Sequence, residues 1–183
     1  MTQALAKPRI RPLPRHTGTV GRQLWYGVRL VPIGIQAMAD AIIGRPDDAT
    51  ARWRQVHPEH KASGVAVFGA GLASAVLGLM SWFLLILLLM SVIRGPFYGL
   101  VEPGPYGPGT WGGPTRAGAW AVHAAVSIPI IVLIPFVLRG IAALQAALIR
   151  QVYGVSTARW VLPATIVVCG GGMLFFWSWV QQL

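Results

Sequence analysis

Charged side chains are missing from the three longest apolar stretches of this chain. Residues 64–93, 117–138 and 160–180 contain no Asp, Glu, Lys or Arg, and His123 is the one histidine among them. Ion-driven transporters and pumps place ionisable residues at membrane depth, where those residues relay protons or bind ions. The sequence therefore argues against an autonomous transporter or pump.

Cysteine and recognisable catalytic sets are scarce as well. Cys169 is the single cysteine, so an internal disulfide is excluded, and it has no charged neighbour that would activate a thiol. No phosphate-binding loop, dinucleotide fingerprint or nucleophile–base set is present. His57 and His60 flank Pro58-Glu59, but a structural zinc site needs about four ligands, so we expect a solvated loop there. These absences predict a protein that is not an enzyme and that holds no cofactor or metal ion.

What the chain does contain is long apolar stretches. Its 183 residues are 55% hydrophobic and 11% charged, whereas soluble domains are about 25% charged. A helix needs about 20 apolar residues to cross a bilayer, and each of the three runs reaches that length. The sequence predicts an all-α, polytopic integral membrane protein with three transmembrane helices in residues 63–183.

Two segments precede the first span. Residues 1–20 alternate proline with Lys and Arg and are predicted to be a disordered basic tail. Residues 21–62 are predicted to be an amphipathic helix followed by a polar linker, with a short helix near residues 49–56. The apolar stripe of the amphipathic helix consists of Leu24, Val28, Val31, Ile35, Met38 and Ile42. We expect this helix to lie in the cytoplasmic membrane surface, the alternative being a helix packed on the protein's own spans; Pro32 would kink either one.

Basic residues set the expected orientation. Ten of the fifteen Lys and Arg residues precede Ala62, which places the N-terminus in the cytoplasm of a plasma-membrane protein, residues 95–114 outside and Leu183 outside. The expected partner of this charge is a bilayer with anionic headgroups rather than nucleic acid. The residues expected to anchor the chain at the lipid surface are Arg22, Trp25, Tyr26, Arg29, Arg139 and Arg150.

Small residues form a stripe in the first apolar run, at Ala70, Ser74, Gly78 and Ser81. Such a stripe allows another helix to approach closely, so it is predicted to be a helix-packing or partner-docking surface. Whether the partner is a helix of this chain or of another subunit is left open. The Leu-rich residues 84–89 are predicted to face lipid.

Glycine and proline residues mark the boundaries of the remaining segments. Residues 95–114 hold seven Gly and five Pro, which predicts a loop without helix or long strand. The second span is predicted to start at Pro114-Thr115, to bend at Pro129 and Pro135, and to continue as an amphipathic helix to Tyr153, with Gly154 as its stop.

His123 and Ser127 lie one turn apart on one face of the second span. A haem ligand or a proton-sensitive switch is one interpretation of His123, and a polar contact to a neighbouring helix or to water is the other. A bis-histidine haem would need a second intramembrane histidine, which the chain lacks. The polar contact is therefore the favoured interpretation.

A family resemblance covers about residues 53–154. Its elements are Trp53-Arg54, the run 64–93, the loop through Trp111-Gly112-Gly113, and Arg139-Gly140 leading to Leu144, Leu148, Arg150 and Gly154. This layout resembles the membrane sensor domain found in actinobacterial two-component histidine kinases and in stand-alone proteins. The resemblance implies a helical membrane module with a sensor function. One amphipathic helix replaces the first hydrophobic hairpin of that family, and a third apolar run follows Gly154.

Two function classes result. In the first, the chain is a sensor-like module that couples membrane or envelope state to a separate effector, and the helix at residues 139–153 carries the movement. In the second, it is a structural accessory subunit of a multi-subunit membrane complex such as a respiratory assembly, with the small-residue stripe and the aromatic loop as docking surfaces.

Overall fold

The computed structural model describes residues 20–53 and 61–182, and every long regular element in these ranges is an α-helix. The helices are α1 (Val20–Ile42), α2 (Pro46–Arg52), α3 (Gly64–Arg94), α4 (Tyr98–Val101), α5 (Arg116–Val152) and α6 (Val161–Val180). Of these, α3, α5 and α6 are long and apolar enough to cross a membrane. The predicted all-α fold with three candidate spans is confirmed. The predicted tail lies outside the described residues except for Val20.

α3 is the axis of the bundle. It starts after Ser63, whose hydroxyl oxygen caps the helix by accepting a hydrogen bond from the N–H of Ala66 at 3.2 Å. Its 31 residues extend about 46 Å at 1.5 Å per residue. α1, α5 and α6 all contact α3.

α1 packs along the first half of α3. This placement matches the alternative prediction, a helix packed on the protein's own spans, rather than a helix that lies in the membrane surface. The two helices are antiparallel, with Gly27 next to Ser81 and Gly34 next to Gly71. The buried positions of α1 are Gly27, Leu30, Gly34, Ala37 and Asp40 rather than the larger apolar stripe. In that stripe Ile35 and Ile42 remain exposed. Small residues allow the two backbones to touch, and this close contact decides which face of α1 is buried.

α5 is one unbroken helix of 37 residues, about 55 Å long. The hydroxyl oxygen of Thr115 caps its start by accepting from the N–H of Gly118 at 3.1 Å. At its end Gly154 has a φ of 75°, and the N–H of Val155 donates to the carbonyl of Arg150 at 2.8 Å. The predicted continuous extension and its glycine stop are confirmed.

The Gly/Pro-rich loop contains one element that composition did not predict. α4 is a single helical turn in the part of the loop between Pro96 and Pro103, where proline is absent and Gly99 is the one glycine. A short proline-free interval is sufficient for one turn, even in a segment whose overall composition disfavours helix.

α5 and α6 cover different lengths of α3. The thiol sulfur of Cys169 in α6 lies 3.9 Å from the carbonyl oxygen of Ala73, and Gly172 sits against Met80. α5 reaches this level through Gln145, which bonds to Ser74, and extends to the far end of α3, where Ser127 packs against Gly95. α5 therefore runs along most of α3, whereas the contacts of α6 lie in the earlier part of α3.

This difference between α5 and α6 divides the molecule into two tiers. The α1 tier comprises α1, α2, α6, residues 64–81 of α3 and residues 138–152 of α5. The loop tier comprises residues 82–94 of α3, the loop 95–115 with α4, and residues 116–137 of α5. Eight of the nine buried residues of α3 belong to the α1 tier, and Ser91 is the ninth.

Candidate functional site

An aromatic cluster of Tyr98, Trp111 and His123 lies in the loop tier. The His123 ring stacks on Tyr98, with centroids 3.7 Å apart and planes at 9°, and the Trp111 ring meets it edge-on at 5.7 Å. Nδ1 of His123 lies 2.7 Å from the carbonyl oxygen of Ala119. Because a carbonyl oxygen can only accept, Nδ1 is assigned as the donor in this contact. His123 is thus held by its own helix, by α4 and by the loop.

Two further side chains of α5 fasten the loop. The indole N–H of Trp120 donates to the carbonyl of Pro96 at 2.7 Å, and the guanidinium of Arg116 donates to the carbonyl of Gly99, with Nε at 2.7 Å. Gly99 is buried, and a Cβ at this position would overlap the Trp120 ring. The first two turns of α5 therefore fix the position of α4.

Ser127, which the sequence paired with His123, has a different role. Its side chain lies so close to Gly95 that a Cβ on this glycine would overlap it. No hydrogen bond joins Ser127 to His123. Ser127 therefore belongs to the contact between the end of α3 and α5, and the His123 contacts come from Ala119, Tyr98 and Trp111.

The predicted small-residue stripe of α3 is buried along its whole length, at Ala70, Ser74, Gly78 and Ser81. Gly78 lies against the backbone of Val31, where an added Cβ would come within 2.6 Å of the amide nitrogen. Gly78 and Ser81 thus pack on α1, and Ser74 bonds to Gln145 on α5, so helices of the same chain cover the stripe.

A chain of buried polar groups joins α1, α5 and α3. The hydroxyl of Tyr26 donates to Oε1 of Gln145, Nε2 of Gln145 donates to Oγ of Ser74 at 3.3 Å, and Ser74 donates to the carbonyl of Ala70 at 2.7 Å. Gln145 and Ser74 are fully buried. Burial raises the pKa of Tyr26 to about 12, against a smaller opposing effect of Arg150, so Tyr26 stays a donor at neutral pH.

This polar chain changes the interpretation of two residues. Tyr26 makes an internal hydrogen bond, which differs from its predicted role at the lipid surface. Gln145 was not singled out by the sequence. Its position on the face of α5 that also bears Ile141 and Leu148, both buried, was the available signal, because a polar residue on a buried face needs a partner.

A second contact holds α1 at its proline. Pro32 has no N–H, so the carbonyl of Val28 loses the hydrogen bond that residue 32 would give in a regular helix. The indole N–H of Trp82 on α3 donates to this carbonyl at 3.1 Å. A side chain of the neighbouring helix thereby satisfies the acceptor that proline left open.

α2 is attached to α1 by a bidentate ion pair. Nε and Nη2 of Arg52 donate to the two carboxylate oxygens of Asp40 at 2.7 and 3.0 Å, and Nη1 donates to Oε1 of Gln36 at 3.0 Å. These hydrogen bonds, with smaller attraction from the charges of Arg52 and Arg45, hold the pKa of Asp40 below its ordinary value although burial opposes them. Asp40 is buried and Arg52 partly exposed, so the pair closes one end of the α1 tier.

The other residues predicted to anchor the chain in lipid vary in exposure. Trp25 is 63% exposed, and Arg29 and Arg139 are exposed, whereas Arg150 is half-buried. The Arg22 side chain lies outside the described residues. Exposure leaves Trp25, Arg29 and Arg139 accessible to headgroups, and their role as anchors stays a prediction.

Within residues 20–53 and 61–182, no group of three or more His, Cys, Asp or Glu side chains is arranged to hold a metal ion. His57 and His60 lie outside these ranges. Comparison of the chain with family models, with curated proteins and with solved structures gave no match. Function must therefore be argued from the contacts of the chain itself.

Proposed function

We propose that this membrane protein is a non-enzymatic, sensor-like module in which α5 couples the state of the membrane or envelope at the loop tier to the α1 tier and, through it, to a separate effector. The observation that supports this most directly is the continuity of α5. One helix, Arg116–Val152, bonds to the loop through its first turns and to α1 and α3 through its last turns.

One end of α5 is suited to receiving movement from the loop tier, and the other is suited to passing it to the α1 tier. At the loop tier, Arg116 and Trp120 bond to backbone carbonyls of the loop, so movement of this segment pulls on α5 directly. At the α1 tier, Gln145 bonds to Tyr26 and Ser74 on two different helices. Helix shifts of about 1–2 Å are a common way for such a displacement to pass between sites.

The charge distribution and the family resemblance are in keeping with this proposal. The predicted orientation places the loop 95–114 outside the plasma membrane, and α2, which pairs through Asp47 with Lys61 just before α3, on the cytoplasmic side with the effector. The resemblance to membrane sensor domains between residues 53 and 154 implies a sensor function.

The test measures whether α5 moves as a unit when the membrane changes. In a Cys169→Ser background, spin labels at Leu89 and Ile128 report the loop tier, and labels at Leu72 and Ala143 report the α1 tier; all four positions are exposed. The protein is reconstituted in phosphatidylcholine bilayers of increasing acyl-chain length, because hydrophobic mismatch moves tilted spans. We expect both pair distances to change together.

Two outcomes would contradict the proposal. Distances that stay constant in both tiers would show that bilayer thickness does not move α5. A change at the loop tier alone would show that α5 bends at Pro129 or Pro135, which lie between the two pairs, and transmits nothing.

The alternative, a structural accessory subunit, is supported by a surface on α6. Gly170 and Gly171 are exposed, and a Cβ on either would meet no atom within 4 Å. Exposed glycines on a candidate span allow a helix of another subunit to pack closely. The stripe on α3 does not support this alternative, because α1 and α5 of the same chain cover it.

Purification in mild detergent followed by mass spectrometry separates the two functions. Recovery at fixed stoichiometry with a large membrane enzyme complex would support the subunit and contradict the stand-alone sensor. Recovery of the chain alone, or with a histidine kinase, would support the sensor.

A further inference from the structure

α1 lies along residues 64–82 of α3. At one end the carbonyl oxygen of Ala41 is the nearest neighbour of a Cβ added to Gly64, at 3.8 Å. At the other end the Trp82 indole N–H donates to the carbonyl of Val28. The 23 residues of α1 extend about 34 Å, and the hydrocarbon core of a bilayer is about 30 Å thick. α1 is therefore long enough to cross a membrane beside α3.

α6 flanks the same stretch of α3. Val161 at its start is buried in the cluster that includes Val67, and the ring of Trp179 near its end lies 6.0 Å from the ring of Phe83. The 20 residues of α6 extend about 30 Å, which matches the hydrocarbon core. A bilayer that α6 crosses must therefore surround α1 as well.

The outer face of α1 suits such surroundings. Ile35 and Ile42 are exposed, and so are Phe68 and Leu72 of α3, which flank the contact between α1 and Gly71. Exposed apolar patches mark the surfaces by which proteins meet partners or membranes. Two adjacent helices that expose apolar side chains at one height are suited to contact with lipid acyl chains.

Polar groups of α1 are satisfied inside the protein, as hydrocarbon surroundings require. The carbonyl that Pro32 leaves without its helical donor accepts from Trp82 at 3.1 Å. The side chains of Gln36 and Asp40 both bond to Arg52. A helix in water could leave such groups to the solvent, whereas a helix in lipid needs a protein partner for each of them.

We propose that α1 crosses the bilayer as a fourth membrane-spanning helix, with lipid acyl chains covering its exposed face. The start of α1 then lies on the same side of the membrane as the loop tier and the end of α6, and α2 lies on the opposite side. Counting basic residues over three spans predicts the reverse for the N-terminus, which it places opposite the loop. The arrangement follows from helix packing and holds whether or not α5 moves.

A crossing by α1 divides the basic residues that precede Ala62. Five of the ten lie before α1 or in its first turn, four follow α1, and one lies within it. In chain order the three groups are Lys7, Arg9, Arg11, Arg15 and Arg22, then Arg45, Arg52, Arg54 and Lys61, and lastly Arg29. The positive-inside rule compares the two sides of a span, and nearly equal numbers on both sides of α1 do not oppose its crossing.

Arg29 is the exposed charged side chain between Trp25 and Ile42. Side chains of a helix lean toward its N-terminus, so Arg29 leans toward the end of α1 that carries Trp25. Tryptophan is enriched at membrane–water interfaces, and arginine extends its charged end to the headgroups while its stem stays in apolar surroundings. Arg29 is thus placed to reach the headgroups of the leaflet on the loop side.

The first experiment measures on which side of the membrane each end of α1 lies. In the full chain with Cys169→Ser, single cysteines are introduced by Gly21→Cys at the start of α1, Asp48→Cys in α2 and Gly109→Cys in the loop; all three positions are exposed. A membrane-impermeant maleimide is applied to right-side-out and to inside-out bacterial membrane vesicles. We expect Gly21→Cys and Gly109→Cys to react from one side and Asp48→Cys from the other.

Reaction of Gly21→Cys from the side of Asp48→Cys would overturn the inference, because α1 would then not cross. A cysteine at position 21 that reacts from neither side until detergent is added would overturn it too, since the start of α1 would not reach the opposite surface. Neither result depends on a response of α5 to bilayer thickness, so this inference and the proposed function fail separately.

The second experiment measures the depth of the middle of α1. Nitroxide labels at Ile35→Cys and, as the matched control, at Val167→Cys of α6 report exposed positions near Gly71 and Ala73 of α3. In bilayers of phosphatidylcholine and phosphatidylglycerol, we expect both labels to be relaxed by oxygen rather than by a water-soluble nickel complex.

A nickel-accessible label at Ile35→Cys beside an oxygen-accessible label at Val167→Cys would place α1 in water and overturn the inference. Nickel access at both positions would reject α6 as a span, and the crossing of α1 with it.

Discussion

The α1 tier and the loop tier are built from equally apolar sequence, yet their helices pack in different ways. In the α1 tier, Gly34, Gly71 and Gly78 bring backbones into contact, and helices bury one another. In the loop tier α3 changes to leucine-rich sequence, and Ile86 and Leu89 stay exposed. Lipid tails are as apolar as leucine, so large side chains gain little by packing on a helix, whereas small residues gain close contact.

Polar groups follow the same division. Hydrogen bonds between side chains of different helices, such as those of Gln145 and Asp40, lie in the α1 tier. In the loop tier, Arg116 and Trp120 bond to backbone carbonyls of a Gly- and Pro-rich segment. Stability is thus expected to be concentrated in the α1 tier, while the loop tier opens more easily, as segments with few buried contacts do.

The largest effect is expected where the α1 tier is tightest. In Gly34→Ala the new Cβ would come within 2.5 Å of the Gly71 carbonyl oxygen and 2.7 Å of the Ala75 nitrogen, both backbone atoms that cannot rotate away. We expect a loss of about 1–3 kcal/mol in the free energy of unfolding, as for other overpacked sites. Thermal or denaturant unfolding in mild detergent, followed by circular dichroism, measures it.

Gly69→Ala is the matched control, because a Cβ on Gly69 of α3 would meet nothing within 4 Å. Alanine is a better helix former than glycine by about 1 kcal/mol, so this variant should be neutral or more stable. Equal destabilisation by both variants would mean that α1 does not seat on α3 as described.

The sequence predicted the parts of this fold that depend on local patterns. The three long helices follow from apolar length, the start of α5 after Pro114-Thr115 from the proline, and the stop at Gly154 from glycine's access to positive φ. The face of α1 that packs on α3 could not be read from periodicity, because periodicity ranks large apolar residues first. Which face is buried depends on the shape of α3, a property that α1 itself does not encode.

The candidate site was predicted less well for the same reason. His123 was singled out, but its contacts with Tyr98 and Trp111 depend on how the loop folds back over α5. Gln145 was overlooked, since its partners Tyr26 and Ser74 lie 119 and 71 residues away in sequence. The different lengths of α3 that α5 and α6 cover are likewise a property of three helices together.

The polar chain should give the next largest effect. Tyr26→Phe removes the donor and leaves the Gln145 carbonyl oxygen buried without it, at a cost of about 1–3 kcal/mol. Gln145→Leu replaces the acceptor with an apolar group of similar size. In the double variant neither polar group remains, so we expect the combined loss to be smaller than the sum of the two single losses by about 1 kcal/mol. Strict additivity in a double-mutant cycle of unfolding free energies would mean that the two side chains do not interact.

The ion pair of α1 and α2 should make stability depend on pH. The pKa of Asp40 is lowered in the folded protein, so the pair contributes stability above the ordinary aspartate pKa of about 3.9 and loses it as pH falls through the lower folded value. Asp40→Asn should cost about 1 kcal/mol at neutral pH, and its difference from the wild type should vanish in acid. Unfolding curves of both proteins across pH 2–7 measure this. Asp47→Asn, in an exposed pair with Lys61, is the control and should have a smaller effect. If the difference in stability between Asp40→Asn and the wild type persisted in acid, the Asp40–Arg52 pair would not be its cause.

The smallest global effect is expected in the loop tier. Trp120→Phe keeps the ring that covers Gly99 and removes the hydrogen bond to Pro96, which is worth about 1 kcal/mol. Because this bond fastens a segment with few buried contacts, its loss should appear as faster hydrogen exchange in residues 96–101 with little change in Tm.

Arg94→Gln serves as the comparison, since Arg94 and Glu102 are exposed and 3.7 Å apart, and removing such a pair should alter neither quantity. A fall in Tm for Trp120→Phe as large as that for Gly34→Ala would show that the two tiers unfold as one unit, and the contrast between a packed tier and an opening one would then be wrong.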